Sequence, residues 1–209
     1  VAVGFQGVRG YQGDLFTSGF SFNVPTQEVV DEFEAGDNRK DVAILDIDAW
    51  AASTGAAFTT GYEHTGYFNR KYIPRKRSST AAGDLNLTNP NNYRAIRYAD
   101  VLLMAAEAFN RRSNSDDAKA RTYLNMVRER AFGNANNNIT TSGTNLTAAI
   151  YKERRVELVG EGHHFFDLVR TGRGTQIPGF TTGKNEVFPI PLEEIQFSQG
   201  NWKQNDKYN

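Results

Sequence analysis

The sequence predicts a mainly α fold in which helical hairpins carry loop-rich, irregular segments and short strands. Apolar residues recur at helical spacing over 93–171. Glycines and aromatic residues are scattered without a period over 1–92. A chain of 209 residues, 39% hydrophobic and 23% charged, is long enough for one hydrophobic core or for part of a larger one.

Segment 1–92 is loop-rich and aromatic, and one helix stands out in it. Thr26 can cap, Glu28 suits the positive end of the helix dipole, Val29, Val30 and Phe33 give an apolar face, and Gly36 ends it. A strand is expected over 67–73, followed by the basic stretch Arg75-Lys76-Arg77.

Segment 93–171 is helical. Over 95–111, Ile96, Ala99, Leu103 and Ala106 share one face, with Arg97, Asp100, Glu107 and Arg111 opposite. A second helix over 116–132 repeats the arrangement with Ala120, Leu124, Val127 and Ala131, and Gly133 closes it. Ser113-Asn114-Ser115 joins the two into an αα-hairpin. The spacing of Ala106, Phe109 and Ala118 is partly that of a tetratricopeptide (TPR) repeat. One such unit cannot bury its own face, and the polar loop 133–145 is not expected to cover it. Further helices are expected over 145–160 and 163–170. Segment 172–209 is extended, with a short strand at 187–190, a helical turn after Pro191, and Trp202 and Tyr208 as the apolar contacts of a polar tail.

Lys+Arg and Asp+Glu both total 24, so the chain has no net charge. That removes the basic field that drives nucleic-acid binding and favours a neutral ligand, or recognition by shape and stacking. With no cysteine, disulfides, thiolate metal sites and cysteine nucleophiles are excluded. No apolar run reaches the length of a membrane-spanning helix. The first residues carry no signal-like stretch, so export is expected to depend on residues outside this chain. The triplets at Asn86, Asn138 and Asn145 match the glycosylation pattern no more often than this composition produces by chance.

Candidate chemistry gathers on the third long helix, where Glu153, Arg154 and Glu157 continue the apolar stripe of Leu146, Ala149 and Ile150. Charges on a core-facing stripe must be paired, and Arg155, Asp167 and Arg170 are candidate partners. Two readings are open. Glu153 and Glu157 are a carboxylate pair for glycoside chemistry, or Glu153, Arg154, Glu157, Asp167 and Arg170 form a structural ion-pair network; the network is favoured. His163 and Asp167 are four apart on a helix, but without a second ligand cluster no metal is expected. The glycines of 171–175 read as a helix-ending turn rather than a phosphate loop. Among the rings, Trp50, just after Asp46 and Asp48, is the leading candidate for stacking on a ligand, with Tyr11, Phe16 and Phe20 after it.

The run from Glu153-Arg154-Arg155-Val156-Glu157-Leu158 through Glu161-Gly162-His163 to Asp167-Leu168-Val169-Arg170 resembles the signature of the SusD/RagB family. Three more stretches agree in order: Pro25-Thr26-Gln27 to Asp37-Asn38-Arg39, Arg97-Tyr98-Ala99-Asp100 with the helix after it, and Phe188-Pro189-Ile190-Pro191 with Gln204-Asn205. His164 stands where the family has arginine, Asp206-Lys207 where it has Pro-Gly, and residues 1–24 match no family stretch. The resemblance implies the C-terminal portion of a larger, TPR-like fold, with segments 1–92, 93–171 and 172–209 in one C-terminal domain. It further implies a non-catalytic outer-membrane lipoprotein, facing outward, whose lipid anchor lies outside this chain. Such a protein binds an oligo- or polysaccharide, less often a peptide, beside a SusC-like TonB-dependent transporter and the N-terminal half of its own chain. No cofactor is implied. A glycoside-processing enzyme using Glu153 and Glu157, and a repeat scaffold for protein or peptide partners, are the alternatives.

Overall fold

A computed structural model describes residues 3–76, 78, 80–84, 88, 89 and 91–208; Arg77 and Asn86 lie outside the described residues. The fold is mostly helical with one two-stranded sheet. In chain order it comprises α1 (Gln27–Asp31), α2 (Arg39–Ala43), β1 (Ile44–Asp46), α3 (Ile47–Thr54), β2 (Tyr67–Asn69), α4 (Tyr98–Arg111), α5 (Asp117–Phe132), α6 (Gly143–Glu157), α7 (His164–Arg170) and α8 (Leu192–Phe197). Two compact units divide it, one ending at Glu161 and the other starting at Gly162. The boundary falls inside the helical segment 93–171, where Gly160 and Gly162 take positive φ, a region costly for residues with a Cβ.

The first unit has three apolar clusters. In one, Leu103, Ala106, Ala120, Leu124, Leu146 and Ile150 are fully buried where α4, α5 and α6 meet. The αα-hairpin is therefore covered by α6, helped by the loop that was not expected to contribute. Asn125 holds that loop, donating to the Ile139 carbonyl (3.0 Å) and accepting from its N–H (2.8 Å), which packs the Ile139 side chain against the cluster. Asp116 accepts from the Lys119 N–H at 3.0 Å to cap α5, and Gly133 ends it at φ 72°. Ala118 is exposed, so the close approach of α4 and α5 is made by Ala106 and Ala120 instead.

The 95–111 helix begins only at Tyr98, leaving Ile96 exposed, and Asp100, on the side expected to face water, is buried while Arg111 on that side is exposed. Asp100 is 5% exposed, because its carboxylate meets Arg154 of α6 at 2.8 Å.

A second cluster organises the loop-rich segment around a sheet that pairs β1 and β2 antiparallel, Leu45 opposite Phe68. Val8, Tyr11, Phe16, Ile47 and Ile73 pack on it. Isolated bridges hold the loops there, Gln12 to Ala57 and Phe16 to Arg75. The strand expected over 67–73 ends at Asn69, where the chain turns; β1, α2 and α3 were not foreseen. The third cluster joins Val30, Phe33, Ala43 and Ile44 to Val156 of α6.

In the second unit, the short strand expected at 187–190 does not form: Val187 lies in a bend and 188–190 have no regular structure. The Gln204 side chain takes a strand's place, accepting from the Ile190 N–H and donating to its carbonyl, both at 2.8 Å. Asn205 donates to the Phe188 carbonyl at 2.6 Å. Gly174 packs so tightly on Phe180 that an added Cβ would lie 2.4 Å from its ring. No helix among the described residues is long and apolar enough to cross a membrane.

Because Leu146 is fully buried where α6 covers the hairpin, Leu146→Ala is expected to cost about 2–5 kcal/mol in urea denaturation. A loss below about 1 kcal/mol would mean that α6 is not the cover.

Candidate binding site

The sequence places charged residues at the end of α6, and the fold brings arginines from three other elements to meet them. Glu153, 2% exposed, has one carboxylate oxygen on Arg39 of α2 (2.6 Å) and the other on Arg128 of α5 (2.8 Å). Glu157, 3% exposed, receives Arg97 at the start of α4 on one oxygen (2.9 Å), and Arg39 (3.0 Å) and Arg130 of α5 (2.5 Å) on the other. Asp37 orients Arg39 through two parallel hydrogen bonds of 2.9 and 2.6 Å. Arg97 reaches on to both oxygens of Glu161 at 2.7 Å, and Lys71 meets Glu161 at 2.6 Å. Arg97 and Lys71 also donate to the Glu157 carbonyl (3.0 and 2.8 Å), satisfying a backbone acceptor that the end of α6 leaves open.

Burial alone would raise the Glu157 carboxyl, but Arg130, Arg39 and Arg97 outweigh it and hold it below the usual carboxylate range. Glu161 is lowered in the same way, against its own burial, by Arg97 and Lys71. Burial pulls the Lys71 ammonium below its usual range, with Glu161 opposing.

The residues expected to supply partners go elsewhere. Arg155 pairs with Glu32 (2.7 Å) and Glu28 (3.1 Å), and in the second unit Asp167 and Arg170 pair with each other at 2.7 Å, one turn apart on α7. Arg97 had been assigned to the solvent side of its helix; it is in the network because it precedes α4 in extended conformation and turns toward α6. Among the described residues no group of three or more His, Cys, Asp and Glu side chains is placed to hold a metal ion.

Among the described residues of this unit, two concave surfaces adjoin these side chains. The first, about 480 Å³, has Trp50, Tyr67 and Arg70 on its walls with Lys40, Asp46 and Ser53 beside them. Trp50 is positioned by α3, which Asp46 caps by accepting from the Ala49 N–H (2.9 Å) and Gly55 ends at φ 72°. Its indole N–H donates to the Tyr11 hydroxyl (3.1 Å), its ring lies 5.6 Å from that of Phe16, and the Arg70 guanidinium stands 5.5 Å from its centre. Tyr67 is fixed by a 2.9 Å bond from its hydroxyl to Gln27.

Tyr11 and Phe16, expected as ligand-facing rings, are 6% and 1% exposed and belong to the core, because the bridges to Ala57 and Arg75 fold their strand-like stretches inward. They support Trp50 from behind. Phe20 is exposed and sits with Phe5 and Phe22 at centroid distances of 5.5 Å from Phe5 and 5.9 Å between Phe5 and Phe22. Tyr67 and Arg70 were missed; the alternation around 67–70 pointed to a strand but not to a cleft. The second surface is a basin of about 940 Å³ whose floor is the Glu157–Glu161 network.

Glu157→Ala removes the buried carboxylate on which Arg39, Arg97 and Arg130 converge and leaves excess positive charge at the end of α6, so it is expected to cost about 3–5 kcal/mol, read by denaturant unfolding. Because the folded Glu157 and Glu161 carboxyls lie below their ordinary value near 4.5, their contribution is fully present above that pH and is lost as pH falls through the folded value. Stability should fall as the pH is lowered below about 4.5, with a shallower slope in Glu161→Gln. Equal slopes in both proteins would remove Glu161 from that role.

Comparison with known proteins places the chain. The SusD family model matches residues 21–208. A SusD-like protein P2 of Formosa agariphila is 30% identical over 207 residues, covering 90% of this chain and 41% of that protein. Among solved structures, a laminarin-binding SusD-like protein superposes with TM-score 0.82 at 39% identity, covering 98% of this chain and 43% of the other. Surface glycan-binding protein A from Bacteroides thetaiotaomicron, in complex with laminarihexaose, superposes with TM-score 0.75 at 26% identity, covering 98% and 46%. The chain thus spans less than half the length of each of these relatives. With the family model matched over nearly all of its length, this chain belongs to the SusD family.

Proposed function

We propose that the chain is part of a non-catalytic protein that captures a nutrient glycan at the cell surface, with Trp50 as the stacking platform. The supporting observation is the Trp50 cleft: a braced indole beside a tyrosine, with Arg70, Lys40, Asp46 and Ser53 around it. Flat rings stack on the apolar faces of sugars, while a few fixed polar groups read the hydroxyls. The likeness to a laminarin-binding protein and to one in complex with laminarihexaose supports a glucan as the first ligand to test. Phe20, with Phe5 and Phe22, offers a second exposed ring surface.

Capture without cleavage fits the carboxylates. A general acid must hold a proton and reach the glycosidic oxygen. Every oxygen of Glu153 and Glu157 is occupied by an arginine, and Glu157 is held ionised. On this reading the protein is an outward-facing outer-membrane lipoprotein that passes its glycan to a TonB-dependent transporter, with an N-terminal half completing the fold.

Calorimetric titration with laminarihexaose, with product analysis of the same mixture, tests this. Saturable binding with the sugar intact is expected, and Trp50→Ala should weaken it about tenfold, the equivalent of about 1.4 kcal/mol. Trp50→Phe keeps a ring and the packing on Phe16, so partial recovery separates stacking from loss of fold. Unaltered affinity in Trp50→Ala, or a shortened sugar, would overturn the proposal.

A further inference from the structure

We propose that the basin next to the Trp50 cleft binds an anionic group of the captured glycan, a carboxylate or a sulfate ester; this rests on the glycan-capture reading above. The cations of the basin floor are already paired. Arg39, Lys71, Arg97 and Arg130 each meet a carboxylate of Asp37, Glu153, Glu157 or Glu161. The rim is not balanced. Arg70, Arg75 and Arg94 line it, and none of them meets a carboxylate among the described residues. The rim's acidic lining residue is Asp41.

Two of these arginines are held without a carboxylate. Arg70 donates to the Asp41 carbonyl (2.8 Å) while standing over Trp50, and Arg94 lies 5.8 Å from the centre of the Tyr72 ring. A guanidinium carries five N–H donors in a planar fork, so each keeps donors for a bound anion. A concave rim on which three arginines outnumber one carboxylate concentrates positive field on what enters it. Planar carboxylates and sulfates accept such forks in pairs, whereas neutral hydroxyls make weaker single bonds.

The two surfaces also share a wall. Arg70 and Asp41 line both the basin and the Trp50 cleft. A sugar ring against Trp50 therefore has Arg70 beside it, and an acidic substituent on that ring or the next would extend toward Arg75 and Arg94.

The test compares laminarihexaose, an alginate-derived oligouronate and a carrageenan-derived sulfated oligosaccharide by calorimetry. The proteins are wild type, Trp50→Ala and the double variant Arg75→Gln/Arg94→Gln. Both variant arginines are exposed, so folding is expected to survive, and circular dichroism checks it. At least one acidic oligosaccharide should bind about tenfold or more tighter than laminarihexaose and weaken as salt rises. The double variant should remove that advantage and change laminarihexaose binding less than twofold. A response to the oligouronate alone assigns the carboxylate, and to the sulfated sugar alone the sulfate. Acidic sugars that bind no tighter than laminarihexaose, or a double variant without effect, would overturn the inference while leaving glycan capture standing. Arginine-dependent binding indifferent to Trp50→Ala would keep the basin and remove the cleft from glycan capture.

Discussion

The first unit depends on one carboxylate, that of Glu157. It ends α6, and arginines from α2, the start of α4 and α5 converge on it. Segments far apart in sequence, 39, 97, 130 and 157, are thereby required to reach one point together. Beside it, Val30, Phe33, Ala43, Ile44 and Val156 supply apolar burial at the same junction. The two contributions differ in kind. Burying apolar surface attracts without direction, whereas a desolvated ion pair is favourable in one geometry and costly in others. The apolar contact holds the loop-rich segment against the helices, and the charges set its position.

Much of the helical half was legible because its signals are local. Asp116, Gly133 and the spacing of Ala120, Leu124 and Val127 lie within a few residues of what they determine. The face of α4 was harder. Periodicity tells which residues share a side, not what lies opposite, so Arg97 and Asp100 read as solvent-facing until α6 brought Glu157 and Arg154 to them. The hint was present in the charged continuation of the α6 stripe, which needed a complementary charged face somewhere. The short elements were harder still. α3 carries a capping Asp46 and a terminal Gly55, both readable, but eight residues rich in alanine give a weak apolar period.

The candidate site was legible only in part, for a related reason. Trp50 could be singled out from its acidic neighbours, but Tyr11 and Phe16 differ from it in no local way. Their burial follows from bridges to Ala57 and Arg75, some forty and sixty residues away. Charge gave a similar lesson. A formal total of zero favoured a neutral ligand, yet the fold sorts those charges into a paired floor and an arginine-bearing rim. Net charge bounds long-range attraction; it says nothing about a cleft a few residues wide.

The amide of Gln204 raises a separate matter, that of chemical ageing. It stands in for a whole strand by donating to and accepting from Ile190. At neutral pH, hydrolysis of Gln204 to an ionised glutamate keeps the shape and loses the donor. The new carboxylate would set oxygen against the Ile190 carbonyl, and the closing segment would come loose at a site where no residue had been exchanged by mutation. The durability of this end of the molecule therefore depends on the lifetime of a side-chain amide as well as on the other bonds that hold it.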